Sequence, residues 1–510
     1  MLHFLLVRAG FVLSMELATC VIVHQRGTAM PEIPHFSHLI AEQTPPAGQI
    51  EVLAPFDRTP IATVDTLDAA GVEQALATAE ALFRNKDDWL PAWRRTEILE
   101  RARQIMIGRA EELALEAARE GGKPLSDSRV EVARAIDGMQ LCIETLRTEA
   151  GEEIPMGLTQ ASVGRLAFTR REPIGVVVAL SAFNHPLNLI VHQAGPAVAA
   201  GCPVIVKPAS DTPLSCLRFI QILHEAGLPK GWAQALLTED QTTAGRLATD
   251  ARVGFLSFIG SAKVGWWLRS QLAPGTRCAL EHGGVAPVMV AADADLNDTI
   301  PLLAKGGFYH AGQVCVSVQR VFAEASIARE LAERLKVQAQ QMKVGDPTLE
   351  ETAVGPLIRP AETQRIHEWV EEAVAAGTEC LCGGEPLSET CYPATVLYDP
   401  PSQVRVSQQE VFGPVICVYP YTDMDEAIER ANSLPYVFQA AVFTKNLDQA
   451  MRAYRRLDAS AVMVNDFTAF RVDWMPFAGL RQSGLGVGGI PHTYRDMQVE
   501  KMMVVRSPEL

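Results

Sequence analysis

Cys315 sits in HAGQVCVS (310–317), a stretch of small residues in which Gly312 leaves room for a substrate to approach closely. A thiol nucleophile needs a donor for the anion formed when it attacks a carbonyl. For turnover it also needs a base that activates water. Two side chains of the right type precede it. Asn184, in SAFNHP (181–186), offers an amide donor. Glu281, in LEHGG (280–284), offers a carboxylate flanked by apolar residues and two glycines, where burial would lift its pKa towards working pH. Singly, each has a plainer reading. Cys315 is one of ten cysteines that can fill a core, Asn184 a turn or cap residue ahead of Pro186, and Glu281 a solvated surface glutamate. Their order and spacing say more than any one of them.

The elements that must position these residues alternate between strand and helix. GVVVAL (175–180), PVIVKP (203–208) and VGFLSFIG (253–260) are short β-branched runs, and helices fit 186–200, 212–226 and the stretch from Ser261. Such alternation predicts a parallel sheet with helices on both faces and ligands at the carboxyl ends of the strands. SAFNHP, VKPAS (206–210), FIGSAKVG (258–265) and LEHGG all fall at those ends. The pattern resumes over 286–480 with APVMVAADAD, a helix near 297–308, CVSVQRVFAEA, a helix at 326–342, CVYPY and AAVFTK. Residues 66–148 read as helical, with Val72, Leu76 and Ala79 at helical spacing and Gly121–Gly122 as a helix end. Residues 151–175 read as extended segments joined by turns. The expected fold class is therefore α/β, with two Rossmann-like parallel-sheet units and an extended arm. The arm and the C-terminal DMQVEKMMVVR either pair with each other or leave an edge that a neighbouring subunit covers.

The formal net charge of −15 argues against a nucleic-acid or anionic-membrane partner, either of which would need a basic face. The cysteines are scattered, with no CxxC pair, so zinc ribbons and thioredoxin-like motifs are unsupported and no metal is expected. That scatter suits a reducing, cytoplasmic setting. Arg8 and Glu16 interrupt the apolar start, so no run reaches the roughly 18 residues of a membrane span. Residues 1–29 read as an extension, with a targeting segment as the alternative.

Together, PIGVVVAL followed by N-x-P, VKPA, F-x-GS, LE-x-GG, GQ-x-C, EVFGPV (410–415) and PF-GL–SG-G closely resemble the aldehyde dehydrogenase superfamily over residues 45–505. The separation of 34 positions from Glu281 to Cys315 matches the family's spacing. The resemblance implies a nucleophilic Cys315 and an oxyanion held by the Asn184 amide and the Cys315 N–H. It also implies a thioester released by water that Glu281 activates. NAD(P)+ is the implied cofactor. Lys207 would bond its adenosine ribose, Gly260 and Ser261 its phosphates through helix-start amides, and Glu410 its nicotinamide ribose, with Phe412 beside the ring. The implied domains are a cofactor domain over 45–150 and 174–285, and a catalytic domain over 286–480. An oligomerisation arm and C-terminal strand would occupy 151–173 and 481–510, behind an N-terminal extension over 1–44, in a homodimer or homotetramer.

The chain departs from the family pattern at His282 and Val285. LLTEDQTTAG (236–245) keeps only Gly245 of a usual glycine-rich loop, and no GxGxxG is present. Ser210 stands where NAD-preferring relatives often carry Glu, so NADP+ is expected to be accepted alongside NAD+, although Asp211 is adjacent. A CoA-acylating member would lack Glu281. A non-catalytic member would not need Asn184, Glu281, Cys315 and Glu410 together.

For the substrate, His185 and His192 in SAFNHPLNLIVH and Arg471 in NDFTAFRVDWMPF point to a small polar or acidic aliphatic aldehyde. The pattern is similar to members acting on lactaldehyde, glyceraldehyde 3-phosphate, succinate semialdehyde or phosphonoacetaldehyde. Val314, directly before the nucleophile, supplies no second arginine. The plainer alternative pairs Arg471 with Asp466 or Asp473 and leaves His192 in the core.

Overall fold

In the computed structural model, which describes residues 33–510, the β-branched runs become the strands of a first sheet. These are β1 (Val176–Leu180), β2 (Val204–Lys207), β3 (Ala233–Ala235), β4 (Val253–Ile259) and β5 (Arg277–Glu281). Their spatial order is β5-β4-β1-β2-β3, all parallel. Every residue of β1 is buried, as a strand covered on both faces requires. Alternation of side chains along the strand divides it between two cores. Val177 and Ala179 join one, with α2 (Ala92–Gly108), α3 (Ala110–Gly121), α4 (Leu125–Thr148), α5 (Asn188–Ala200) and α6 (Leu214–Glu225). Val176, Val178 and Leu180 join the other, which includes Val72, Ala75, Leu76 and Ala79 of α1 (Ala69–Arg84).

A second sheet is built from β6 (Pro287–Val290), β7 (Arg320–Glu324), β8 (Glu379–Cys382), β9 (Thr395–Tyr398), β10 (Val415–Tyr421), β11 (Gln439–Phe443) and β12 (Ala461–Val464). Its order is β8-β9-β10-β7-β6-β11-β12, parallel except for the β8–β9 pair. Both expected α/β units are thus present. In a third, antiparallel sheet Arg165–Pro173 lies between Gln498–Arg506 and Glu153–Ile154, so the two extended segments do pair with each other.

Two regions differ from the sequence reading. Gly48–Leu53 and Pro60–Leu67 form an antiparallel hairpin ahead of the helices, where no strand was expected. Pro60–Leu67 is mostly buried and so lacks the polar/apolar alternation that marks a half-exposed strand. The segment 481–510 is more than an arm. Gly484–Leu485 pairs antiparallel with the end of β5, and Ile490, Tyr494 and Met497 enter the first core. Gly484 permits this at φ 155°, because a Cβ there would stand 2.3 Å from the Leu280 carbonyl oxygen. The reading of residues 1–29 as an extension lies outside the described residues.

Register sets up the site. Leu180 lies beside Lys207 and Phe258, and Ile259 beside Glu281. The loops that follow β1, β2, β4 and β5 therefore leave one edge of the sheet together.

Candidate active site

These loops form one wall of a cavity of about 840 Å³, and loops of the second sheet's unit form the other. Asn184, Glu281 and Cys315 all line it, as do Gly260, Ser261, Glu410, Phe412, His185 and Arg471. Residues read as separate signals between positions 184 and 471 of the sequence are brought to one space.

The loop that carries Cys315 leaves the helix Leu296–Phe308 through three residues in the left-handed region, His310 (φ 50°), Ala311 (φ 52°) and Gly312 (φ 68°). Side chains other than glycine rarely adopt that backbone, so the loop is held by its surroundings. A Cβ on Gly312 would stand 2.1 Å from the Gly413 carbonyl oxygen. Gln313 braces the loop. Its amide donates to the carbonyls of His310 and Pro356, both at 3.3 Å, and its Oε1 accepts from the Ile358 N–H at 2.9 Å. The Gln313 carbonyl in turn accepts from Asn184 Nδ2 at 2.9 Å, which ties the β1 loop to the Cys315 loop. One N–H of the Asn184 amide remains for another acceptor. Burial pushes the Cys315 thiol up to about 12, against the pull of Arg471 and with the help of Glu281 and Glu410.

Two further, partly buried carboxyls face the cavity, and glycines make room for both. Burial raises Glu281 above the ordinary carboxylate range, opposed by Arg471. A Cβ on Gly488 would lie 2.3 Å from Glu281 Oε1. Burial pushes Glu410 up to about 8, opposed by the Gly284 N–H and Arg365, and its Oε1 has no hydrogen-bond partner. A Cβ on Gly283 would lie 1.7 Å from that oxygen, so the first glycine of LEHGG is there to admit Glu410.

The family model for the aldehyde dehydrogenase family matches residues 42–503. The chain belongs to the aldehyde dehydrogenase family. It is 36% identical over 459 residues to the 3-sulfolactaldehyde dehydrogenase of Priestia megaterium, covering 90% of this chain and 95% of that protein. Aldehyde dehydrogenase 21 from Physcomitrella patens, solved with the reaction product succinate, superposes with a TM-score of 0.89 at 33% identity over 93% of this chain and 99% of that one. A glyceraldehyde-3-phosphate dehydrogenase from Methanocaldococcus jannaschii complexed with NADP superposes with a TM-score of 0.86 at 33% identity, over 90% and 99% of the two chains.

Within this aldehyde dehydrogenase scaffold, Ser261 stands at the start of the helix Ala262–Gln271 and lines the cavity with Gly260. Lys207 and Ser210 are not among the lining residues. Lys207 Nζ donates to the Pro208 carbonyl at 3.0 Å, and the same loop presents Ala209 and Asp211 instead. Asp211 meets Arg359, from across the cavity, at 3.1 Å. His282, the departure from the family pattern, fills an aromatic slot. Its ring packs edge-on against Phe258 and Trp266, and its Nδ1 meets the Gln482 carbonyl at 2.9 Å. Gly265 accommodates it, since a Cβ there would lie 2.1 Å from His282 Nε2.

Arg471 brings a cation to the cavity. Arg471 stacks 3.6 Å from the centre of the Phe477 ring, and its buried Nε has no hydrogen-bond partner. The Asp473 carboxylate, 3.8 Å from that Nε, is committed elsewhere. It accepts from Arg134 at 2.5 and 3.1 Å and meets His192 Nε2 at 2.8 Å. Burial pushes Asp473 up, but His192 and Arg134 outweigh it and hold the group well below the usual carboxylate range. Arg471 is therefore not Asp473's main partner, and His192 stands behind the cavity wall rather than in it. Arg134, from α4, lines the cavity and was missed. The second arginine that Val314 does not supply comes from a helix far upstream. Its only sequence signal is its place three residues after Glu131, on a helix with a buried face.

Proposed function

We propose that this chain oxidises a small aliphatic aldehyde with an anionic or polar tail to the carboxylic acid, using NAD(P)+. The observation that carries this reading is the convergence of Asn184, Glu281, Cys315, Arg134 and Arg471 on one cavity. Cys315 attacks the carbonyl carbon as the thiolate, its proton passing to a carboxylate of the cavity; burial opposes that loss and Arg471 favours it. The free Asn184 N–H and the Cys315 N–H receive the oxyanion. The dinucleotide, when bound, supplies the hydride acceptor, and the thiohemiacetal on Cys315 becomes a thioester. Glu281, with its raised pKa, then takes a proton from the water that releases the acid.

The residues present fit a dinucleotide. Glu410 has an unpartnered buried oxygen over a glycine that admits it, and Gly260 and Ser261 stand at a helix N-terminus suited to phosphates. Glu410 would hold the nicotinamide ribose, Phe412 would pack beside the ring, and Lys207 and Ser210 would serve the adenosine ribose. Asp211 is occupied by Arg359, which supports acceptance of a 2′-phosphate. On this reading 45–150 and 174–285 form the cofactor domain and 286–480 the catalytic domain. The sheet of 151–173 with the C-terminal strand mediates a homodimer or homotetramer. Exposed Met502, Met503 and Val504 support that last role. The scattered thiols support a cytoplasmic setting. No helix among the described residues is long and apolar enough to cross a membrane.

The anionic tail rests on Arg471, a buried cation with an unpartnered donor. A relative named for a sulfonated aldehyde and a structural neighbour holding succinate support it. The test is a panel of anionic, hydroxylated, neutral and aromatic aldehydes, read by absorbance of reduced nicotinamide with and without CoA. Short anionic aldehydes should give the highest kcat/KM without CoA. A preference for benzaldehyde or decanal overturns the substrate reading, and dependence on CoA overturns the reaction.

A further inference from the structure

Lys123 and Glu131 form an ion pair whose side chains are each 1% exposed. Neither lines the cavity. Burying two charges is costly, and apolar residues of similar volume often do as well or better for stability, so such a pair calls for a reason other than stability. The hydrogen bonds supply one. Lys123 Nζ donates to the Asn184 backbone carbonyl at 3.1 Å. Glu131 Oε1 accepts from the Leu187 and Asn188 N–H groups, both at 2.9 Å. These are the orphan donors at the start of α5, which has no side-chain cap of its own. The pair therefore holds the backbone on both sides of the His185–Pro186 turn.

The turn that carries Lys123 is itself wedged against the second sheet's unit. Gly122 has φ 75°, a Cβ on it would stand 2.9 Å from Pro356 Cγ, and a Cβ on Gly355 would stand 1.8 Å from the Gly122 oxygen. Pro356 and Ile358 are the groups that Gln313 grips. The Asn184 side chain then closes the circuit on the Gln313 carbonyl. Asn184 is thus fixed from two directions: its backbone through Lys123, its amide through the Cys315 loop.

We propose that Lys123 and Glu131 are positioning residues, which set the Asn184 amide in register with Cys315 without touching the substrate. The proposal rests on reading Asn184 as the oxyanion donor. A donor displaced by about 1 Å costs on the order of a hundredfold in rate, and a lost one about as much or more.

The test uses the full chain and the neutral pair Lys123→Met with Glu131→Met, which leaves no charge buried alone. Three quantities are read: the first-turnover burst of reduced nicotinamide, the Kd for NADH by fluorescence, and the melting curve. The burst should slow about tenfold to a hundredfold, with Kd within about twofold of the parent on a cooperative melt. Asn184→Ala should slow the burst at least as much. Adding the neutral pair to Asn184→Ala should cost no more than about threefold, because the pair acts through a group already gone. A wild-type burst in the neutral pair, or losses that multiply, overturns the positioning role while the Asn184 reading stands. A wild-type burst in Asn184→Ala overturns that reading and this proposal with it. If the neutral pair does not melt cooperatively, Lys123→Gln replaces it under the same expectations.

Discussion

The residues proposed for the two ends of the site, the reaction end and the end for the aldehyde's tail, are placed in different ways. At the reaction end, Asn184, Glu281 and Cys315 are placed by backbone. They stand at strand ends or in a left-handed loop, with Gly312 and Gly488 clearing space and Gln313 bracing main-chain groups. At the tail end, Arg471 and Arg134 are placed by side chains around one carboxylate, Asp473, with His192 behind it. A backbone-built end tolerates few substitutions. A side-chain-built end exchanges charges while the chain path stays the same. Reaction class and substrate choice are therefore separable, and mutations should divide along the same line.

The largest effect belongs to the reaction end. Cys315→Ala should abolish aldehyde turnover while NADH still binds, measured by steady-state absorbance and fluorescence titration. Glu281→Gln should keep a burst of reduced nicotinamide but lower steady-state turnover by about a hundredfold or more, the typical worth of a general base. Full steady-state activity would remove Glu281 from that role. The sign of its pH dependence follows from burial. Because the pKa is raised, the base is lost as pH falls through a value above the ordinary carboxylate range, so deacylation should fail in mild acid. Glu281→Gln should flatten that limb.

Arg471→Ala acts at the other end. It should raise KM for an anionic aldehyde about tenfold to a hundredfold, the scale of one charged hydrogen bond, and change the KM for propanal far less. Equal effects on both would erase the distinction between the two ends. Gly488→Ala tests whether backbone clearance matters at the reaction end. It should push Glu281 aside and slow deacylation about tenfold, leaving KM for the anionic substrate nearly unchanged. The smallest change is expected from Ser210→Glu, which should weaken NADP+ binding about fivefold, on the order of 1 kcal/mol for two like charges separated by water. An unchanged NADP+ affinity would remove Ser210 from cofactor selection.

By itself, the sequence determined the α/β alternation, the strand-end loops and the order Asn184, Glu281, Cys315. Each is written in neighbouring residues: β-branched runs, turn residues and a fixed spacing to the nucleophile. The same local signals left the hairpin Gly48–Leu67 unread, because its inner strand is buried on both faces. They placed His192 as a substrate residue when it stands behind Asp473, and gave no reason to choose Arg134 from the other arginines of its helix. Arg134 meets Asp473 across 339 positions of chain, and Lys123 meets Asn184 across 61. Only the tertiary structure decided which buried charges face one another, because the energy of an ion pair depends on distance and burial, and neither is a property of a residue's place in the chain.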